Sequence, residues 1–322
     1  MEHFNHKEID KKIIEAKKKL IALSSDHKKN FINIEKHIAI EVEEIEQCVA
    51  NNKEVIPELD YQKLVSNAVD KNLVNLIKKR GCVIIRNVFD KNQVETWNDE
   101  LVKYIEHNNY YEDQKEKAGL DQYFSELKSD KPQIFGLYWS KPQVEVRQSE
   151  NMAVVKTWLN NLWKNEFNNK IIFLPDRELV YADRVRRREA GDSSLGLSPH
   201  CDAGSVERWI DKAYQKIYEP IFSDNFEDYN PFDAKYRDQT EEIPSPAVSH
   251  VFRTFQGWVA LTEQGPSDGT LQLIPIAKSM AYILTRPLLE DVAKNSLCGS
   301  LPARALSVNS QYHSLLLRAL VS

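Results

Sequence analysis

Apolar residues recur at helical spacing through the first eighty positions and then give way to short β-branched runs, so the pattern divides the chain near Gly81. Ile9, Ile13, Leu20 and Ile21 recur near helical period in a Lys/Glu-rich background, which predicts an amphipathic helix over residues 6–24. A second helix is expected over 32–50. A third is expected over 59–79, with Gly81 just past its end, where a left-handed residue is usual. The mixed-charge faces of these helices read as solvated surface.

Beyond Gly81 the period changes. Residues 82–89 form a short apolar run expected to be a buried strand. Asp90 then caps a helix, with Gln93 in the capping-box position. Residues 109–150 are polar and aromatic and read mostly as loop. Helical spacing returns over 150–164 through Met152, Val155, Trp158, Leu159 and Leu162. Strands are expected at 171–174 and 179–188, a helix over 204–222, and a long surface insertion over 223–247. Further strands are expected at 251–262 and 270–274, with Trp258 as a core residue. A helix follows at 287–293, and an apolar segment closes the sequence at 312–321. Helices first and short strands afterwards make an α+β chain, a β-sandwich or jelly roll with helical decoration.

Composition narrows the class. The 322 residues are 42% hydrophobic and 28% charged, ordinary for a globular protein, and the formal net charge of -5 gives no general drive toward nucleic acid. No apolar run approaches the roughly 20 residues that span a bilayer, and the first residues lack the apolar core of a secretory signal. Neither a nucleic-acid nor a membrane partner is therefore expected. Four scattered cysteines, Cys48, Cys82, Cys201 and Cys298, form no paired motif, so reduced thiols and a cytoplasmic setting are expected.

The candidate chemistry lies in Ser198-Pro199-His200-Cys201-Asp202. In extended backbone, positions i and i+2 share a face, so His200 and Asp202 can converge on one ion while Cys201 faces away. An imidazole and a carboxylate are two of the three ligands in the facial triad that binds Fe(II) and leaves positions open. His250 and His313 are candidates for a third ligand, although a lone histidine at a strand end is more often structural. The competing reading of His200 and Asp202 is a helix cap or a hydrogen-bonded surface pair. Upstream, Tyr181-Ala182-Asp183-Arg184-Val185-Arg186-Arg187-Arg188 alternates in character. Tyr181, Asp183, Val185 and Arg187 fall on one face, with Arg184, Arg186 and Arg188 on the other. Such a row of guanidinium groups can clamp a dicarboxylate or serve as a charged edge.

Three segments in order resemble the cupin-fold 2-oxoglutarate/Fe(II) oxygenases, in particular their phytanoyl-CoA dioxygenase-like branch. They are the strand from Arg80 to Phe89, the His200/Asp202 pair, and Trp258-Val259-Ala260-Leu261-Thr262 followed by Asp268-Gly269-Thr270-Leu271. The longer runs YADRVRRREAGDSSLGLSPHCDAGSVERW, FGLYWSKPQVEVRQSE and HVFRTFQGWVALTEQGPSDGTLQLIP resemble an uncharacterised YbiU-like family over roughly residues 60–322. The resemblance implies a double-stranded β-helix over 81–322, behind an N-terminal helical region of residues 1–80. It also implies Fe(II) on His200 and Asp202 and 2-oxoglutarate as cosubstrate; Tyr181, Arg184 and Arg186 of the arginine-rich segment are the candidate residues to bind that dicarboxylate. The reaction expected is oxygenation of a small-molecule substrate. The oxygenases' second histidine and their cosubstrate arginine beyond it have no match here. The sequence closes on an apolar stretch, which predicts a C-terminally shortened β-helix. The alternatives are a non-catalytic β-helix that binds a small acid or a protein, a degenerate paralogue that has lost the activity, and a zinc hydrolase, which would need more His or Cys in register.

Overall fold

The computed structural model describes residues 6–111, 133–177, 183–189, 191, 207–241, 252–265, 271 and 273–296. The first two expected helices are present as α1 (His6–Ile21) and α2 (His27–Ala50). Helix α2 begins earlier than its apolar period indicates because Asp26 caps it, accepting from the Lys29 N–H at 3.0 Å. Ile13, Ala16 and Leu20 of α1 and Ile34, Ile38, Val42 and Ile45 of α2 are buried.

These residues share one core with three later helices, α8 (Glu207–Ile210), α9 (Lys212–Phe222) and α10 (Ser279–Thr285), through Trp209, Ile217, Ile221 and Leu284. Polar bonds fasten the same layer. Asn30 donates to the Ile221 carbonyl at 2.8 Å, and the buried Lys17 ammonium donates to the Ala293 carbonyl at 2.9 Å. Burial lowers the Lys17 pKa from its ordinary value. Asp224, just past α9, accepts from the Ser25 N–H and hydroxyl, both at 2.8 Å, and from the Ser24 hydroxyl.

The third expected helix is broken into three pieces. Residues Glu58–Asp60 form strand β1, Tyr61–Val65 form α3, and Lys71–Arg80 form α4. Asp60 caps α3 and Asp70 caps α4, the latter accepting from Asn72 N–H at 2.7 Å and Leu73 N–H at 3.3 Å. Asn67, at φ 52°, turns the chain between them. Two acidic caps ten residues apart outweigh the apolar period that appears continuous across them.

Gly81 closes α4 as expected, at φ 71° with its N–H on the Ile77 carbonyl at 2.8 Å. Arg80 is buried at the end of α4, 3.3 Å from Glu41 of α2, with Lys79 beside it 3.4 Å from the other Glu41 oxygen.

The expected strand over 82–89 is shorter and more open than its composition indicates. Strand β2 is Ile84–Arg86, parallel to β1 with Leu59 opposite Ile85. Ile84 and Arg86 face solvent. Because β2 is half of a two-stranded pair, only one face finds a core; Ile85 joins Leu59, Tyr61, Leu64 and Val155.

Helix α5 (Lys91–His107) starts at Asp90, which accepts from Asn92 N–H at 2.9 Å and Gln93 N–H at 3.3 Å. Two further helices follow, α6 (Lys141–Arg147), within a region expected to be loop, and α7 (Glu150–Asn160). Strands β4 (Glu166–Phe167) and β5 (Lys170–Ile171) form a hairpin turned by Asn168 and Asn169, both at positive φ. Only Ile171 of the strand expected at 171–174 belongs to it.

Other expectations are corrected. The helix over 204–222 divides at Asp211, whose carboxylate caps α9 by accepting from Tyr214 N–H at 2.8 Å. The described part of the 223–247 insertion is no surface excursion: Phe226, Tyr229, Phe232 and Ala234 are buried, their apolar anchors outweighing the polar residues between them.

None of residues 252–262 lies in a strand. Phe252 and Phe255 instead pack on Trp163, with centroids 5.3 and 6.2 Å away, and Thr254 donates to Asn160 at 2.6 Å. Trp258 is 51% exposed rather than core. Among 270–274, the described residues 271, 273 and 274 are likewise outside strands. The helix expected at 287–293 lies earlier, as α10 and the 3₁₀ turn Arg286–Leu288. The apolar segment 312–321 lies outside the described residues.

Among the described residues the remaining pair is β3 (Ile134–Phe135) with β6 (Val185–Arg186), antiparallel. No described helix is long and apolar enough to cross a membrane.

Candidate functional site

Strand β6 carries the arginine-rich segment, and its surroundings decide which way each side chain points. Phe135 pairs with Val185 and Ile134 with Arg186. Phe135 and Val185 pack inward on Leu101, Ile105 and Tyr110, at the C-terminal end of α5 and just beyond it. The Tyr110 ring stacks on Phe135 at 5.2 Å, and its hydroxyl accepts from the Gly136 N–H at 2.7 Å.

With Val185 committed to the core, the two-residue period turns Arg184, Arg186 and Arg188 to the opposite side, where all three are exposed. Arg187 follows Val185 and is partly covered. Its Nε donates to Glu189 at 3.2 Å, and its backbone N–H donates to the Gln133 carbonyl at 3.1 Å. The described part of the segment therefore presents Arg184, Arg186 and Arg188 on one open face.

Helix α6 holds the start of this strand. Ser140 caps the helix with a reciprocal capping box to Gln143, and Pro142 sits in its first turn. The buried Gln143 amide donates to two carbonyls, Leu137 at 2.9 Å and Asp183 at 3.0 Å. Arg147 donates to the Tyr138 carbonyl at 3.2 Å and pairs with the Asp183 carboxylate. Its guanidinium lies 5.2 Å from the ring centre of Trp139, an indole that is 73% exposed.

The helix is itself anchored on both sides. The Trp97 indole of α5 donates to Glu145 at 2.7 Å, and Lys156 of α7 donates to the Arg147 carbonyl at 3.1 Å. Gln143, Arg147 and Trp139 escape a sequence reading that takes 109–150 as loop. The signal available for them is the Ser140-Lys141-Pro142-Gln143 helix start.

Of the expected site residues, Arg184 and Arg186 stand on the open face of β6. Tyr181, His200 and Asp202 lie outside the described residues, as do Cys201, His250 and His313. Among the described residues no cluster of three His, Cys, Asp or Glu side chains gathers as a metal site. Cys82 offers no nucleophile: burial pushes its thiol up to about 11, so it stays protonated at neutral pH.

A family model described as Gig2-like matches residues 7–322. The chain is 38% identical over 312 residues to the uncharacterized protein YbiU of Escherichia coli strain K12, an alignment covering 96% of this chain and 74% of YbiU. Its fold is similar to the crystal structure of a Salmonella typhimurium LT2 protein named "Putative Oxidoreductase". The TM-score is 0.85 at 37% identity, covering 98% of this chain and 75% of that one. The crystal structure of GlcNAc Inducible Gene 2, GIG2, from Candida albicans matches with a TM-score of 0.69 at 29% identity, over 85% of this chain and 56% of that one.

Proposed function

Since the chain belongs to the Gig2-like family, with a relative named "Putative Oxidoreductase", we propose that it is a non-haem Fe(II)/2-oxoglutarate-dependent oxygenase acting on a small molecule. One observation carries this reading. A segment that turns Arg184, Arg186 and Arg188 outward precedes, in the same stretch of sequence, an imidazole and a carboxylate spaced to share one ion.

The donor set fits the groups. An imidazole nitrogen and a carboxylate oxygen suit ferrous iron, and paired guanidinium groups suit a dicarboxylate. Bound iron and 2-oxoglutarate would supply oxygen activation coupled to oxidative decarboxylation, and the protein's own part is orientation and exclusion of water.

In this reading His200 and Asp202 hold the metal on the wall of a double-stranded β-helix. Arg184 and Arg186 receive the distal carboxylate of the cosubstrate, with Tyr181 on the same segment as a further binding group. The helices of the first eighty residues buttress the domain, and the reduced thiols fit a cytoplasmic setting.

Anaerobic Fe(II) titration of the wild type, His200→Ala and Asp202→Ala, each with and without 2-oxoglutarate, tests the assignment. The wild type is expected to bind iron and to develop a visible charge-transfer band only when the cosubstrate is added; both variants should lose it. Indistinguishable titrations of the three proteins overturn the reading.

A further inference from the structure

We propose that Arg147 and Gln143 of α6 are positioning residues, holding the arginine face of β6 in the shape that accepts a dicarboxylate. The inference deepens the function proposed above and rests on its assignment of Arg184 and Arg186 to the cosubstrate.

Two exposed arginines on a strand bind a dicarboxylate well only if their backbone is fixed before the ligand arrives. Otherwise ordering the strand is subtracted from the binding free energy. The ribbon that carries them is short, two residues on each strand, and its own ladder is too small to fix it.

Helix α6 supplies what the ladder lacks. Gln143 grips the Asp183 carbonyl and Arg147 grips the Asp183 carboxylate, immediately before Arg184. Both side chains also bind carbonyls of the segment leading into α6, Leu137 and Tyr138. The strand therefore starts from a point tied to a capped helix, which is braced on α5 by Trp97 and on α7 by Lys156.

The Arg147 side chain is 9% exposed whereas Asp183 is 48% exposed, so the guanidinium is the fixed half of the pair and the strand is what it restrains. Arg147 itself is directed at Asp183 and Trp139 rather than along the arginine face, which argues for holding the site rather than contacting the ligand.

A double-mutant cycle on 2-oxoglutarate affinity tests this, measured calorimetrically on the Fe(II)-loaded full chain under anaerobic conditions. The proteins are wild type, Arg147→Ala, Arg184→Ala and the double variant, with Arg147→Lys and Asp183→Asn alongside. Arg147→Ala is expected to weaken binding by about 10-fold or more, with iron binding retained. The double variant should lose less affinity than the two single losses combined, because with Arg184 gone Arg147 has only Arg186 left to position. Arg147→Lys should recover part of the loss.

If Arg147→Ala fails to fold, Asp183→Asn removes the same ion pair from the exposed side and is expected to show the same coupling. Unchanged affinity in these variants, or additive losses in the cycle, overturns the positioning role while leaving the proposed function standing. A wild type that binds iron but no 2-oxoglutarate overturns both.

Discussion

Glu41 shows how much one side chain can hold. It is a buried carboxylate on α2 facing Arg80 at 3.3 Å and Lys79 at 3.4 Å on α4, with Glu44 closing the group. Removing it leaves the Arg80 guanidinium buried with, among the described residues, only the more distant Glu44, 3.9 Å away, as compensation. Breaking a buried pair from one side is costly because the surviving charge stays desolvated. Glu41→Ala is expected to destabilise the fold by about 3 kcal/mol, read from the urea midpoint. Glu44→Ala, whose side chain is far more exposed, should cost much less. The pairing is invisible to a reading by amphipathic period, which assigns every charged residue of these helices to solvent. Glu41 falls within the buried stripe of α2, three residues after Ile38, and Arg80 lies three residues after the buried Ile77 of α4, so each charge is buried where its partner meets it.

At the scale of elements, sequence reading succeeds where one local signal acts and fails where two compete. Helix α5 is legible because Asp90 caps it and its apolar stripe of Trp97, Leu101 and Ile105 runs uninterrupted. The stretch from Leu59 to Arg80 is misjudged because an apolar period continues across a strand, a turn and two helices. The caps at Asp60 and Asp70 mark the breaks. Strands at 252–262 are misjudged for another reason: Phe252 and Phe255 satisfy their burial against Trp163, so β-branched and aromatic composition is spent on ring packing rather than on a ladder. The candidate site divides similarly. Alternation foretells the outward arginine face of β6, while Gln143 and Arg147 come from a short helix whose capping signal lies within polar, aromatic sequence.

Gly81 supplies a test at this scale. A methyl group there would stand 3.1 Å from both Ala277 Cα and Cβ, at a φ of 71° that L side chains rarely adopt. The left-handed conformation alone costs about 1 kcal/mol, and Ala277, which donates to the Lys79 carbonyl at 3.0 Å, would have to give way. Gly81→Ala is therefore expected to lower stability by about 2 kcal/mol, measured by chemical denaturation.

Across the whole molecule, the amino-terminal helices are bound into the same core as Trp209, Ile217, Ile221, Ile276 and Leu288. Asp224 ties the turn between α1 and α2 to the end of α9. Its hydrogen bonds from Ser24 and Ser25 hold its pKa below the ordinary aspartate value. The sign follows from that depression. The stabilisation is complete above the unfolded-state pKa of about 4 and is lost as pH falls through the lower folded value. Asp224→Asn should thus be less stable than wild type at neutral pH, and the gap should narrow in acid. Thermal unfolding of the two proteins from pH 7 downward checks this; a gap independent of pH would mean that the carboxylate charge contributes nothing to this junction.

The parallel pairing of β1 with β2 has a kinetic consequence. Parallel neighbours cannot be closed by a tight hairpin, so the chain must return through α3 and α4 before Leu59 can meet Ile85. Loop closure there spans fewer than thirty residues, a modest entropic cost. This small crossover can therefore close well before the junctions that wait for residues two hundred positions away.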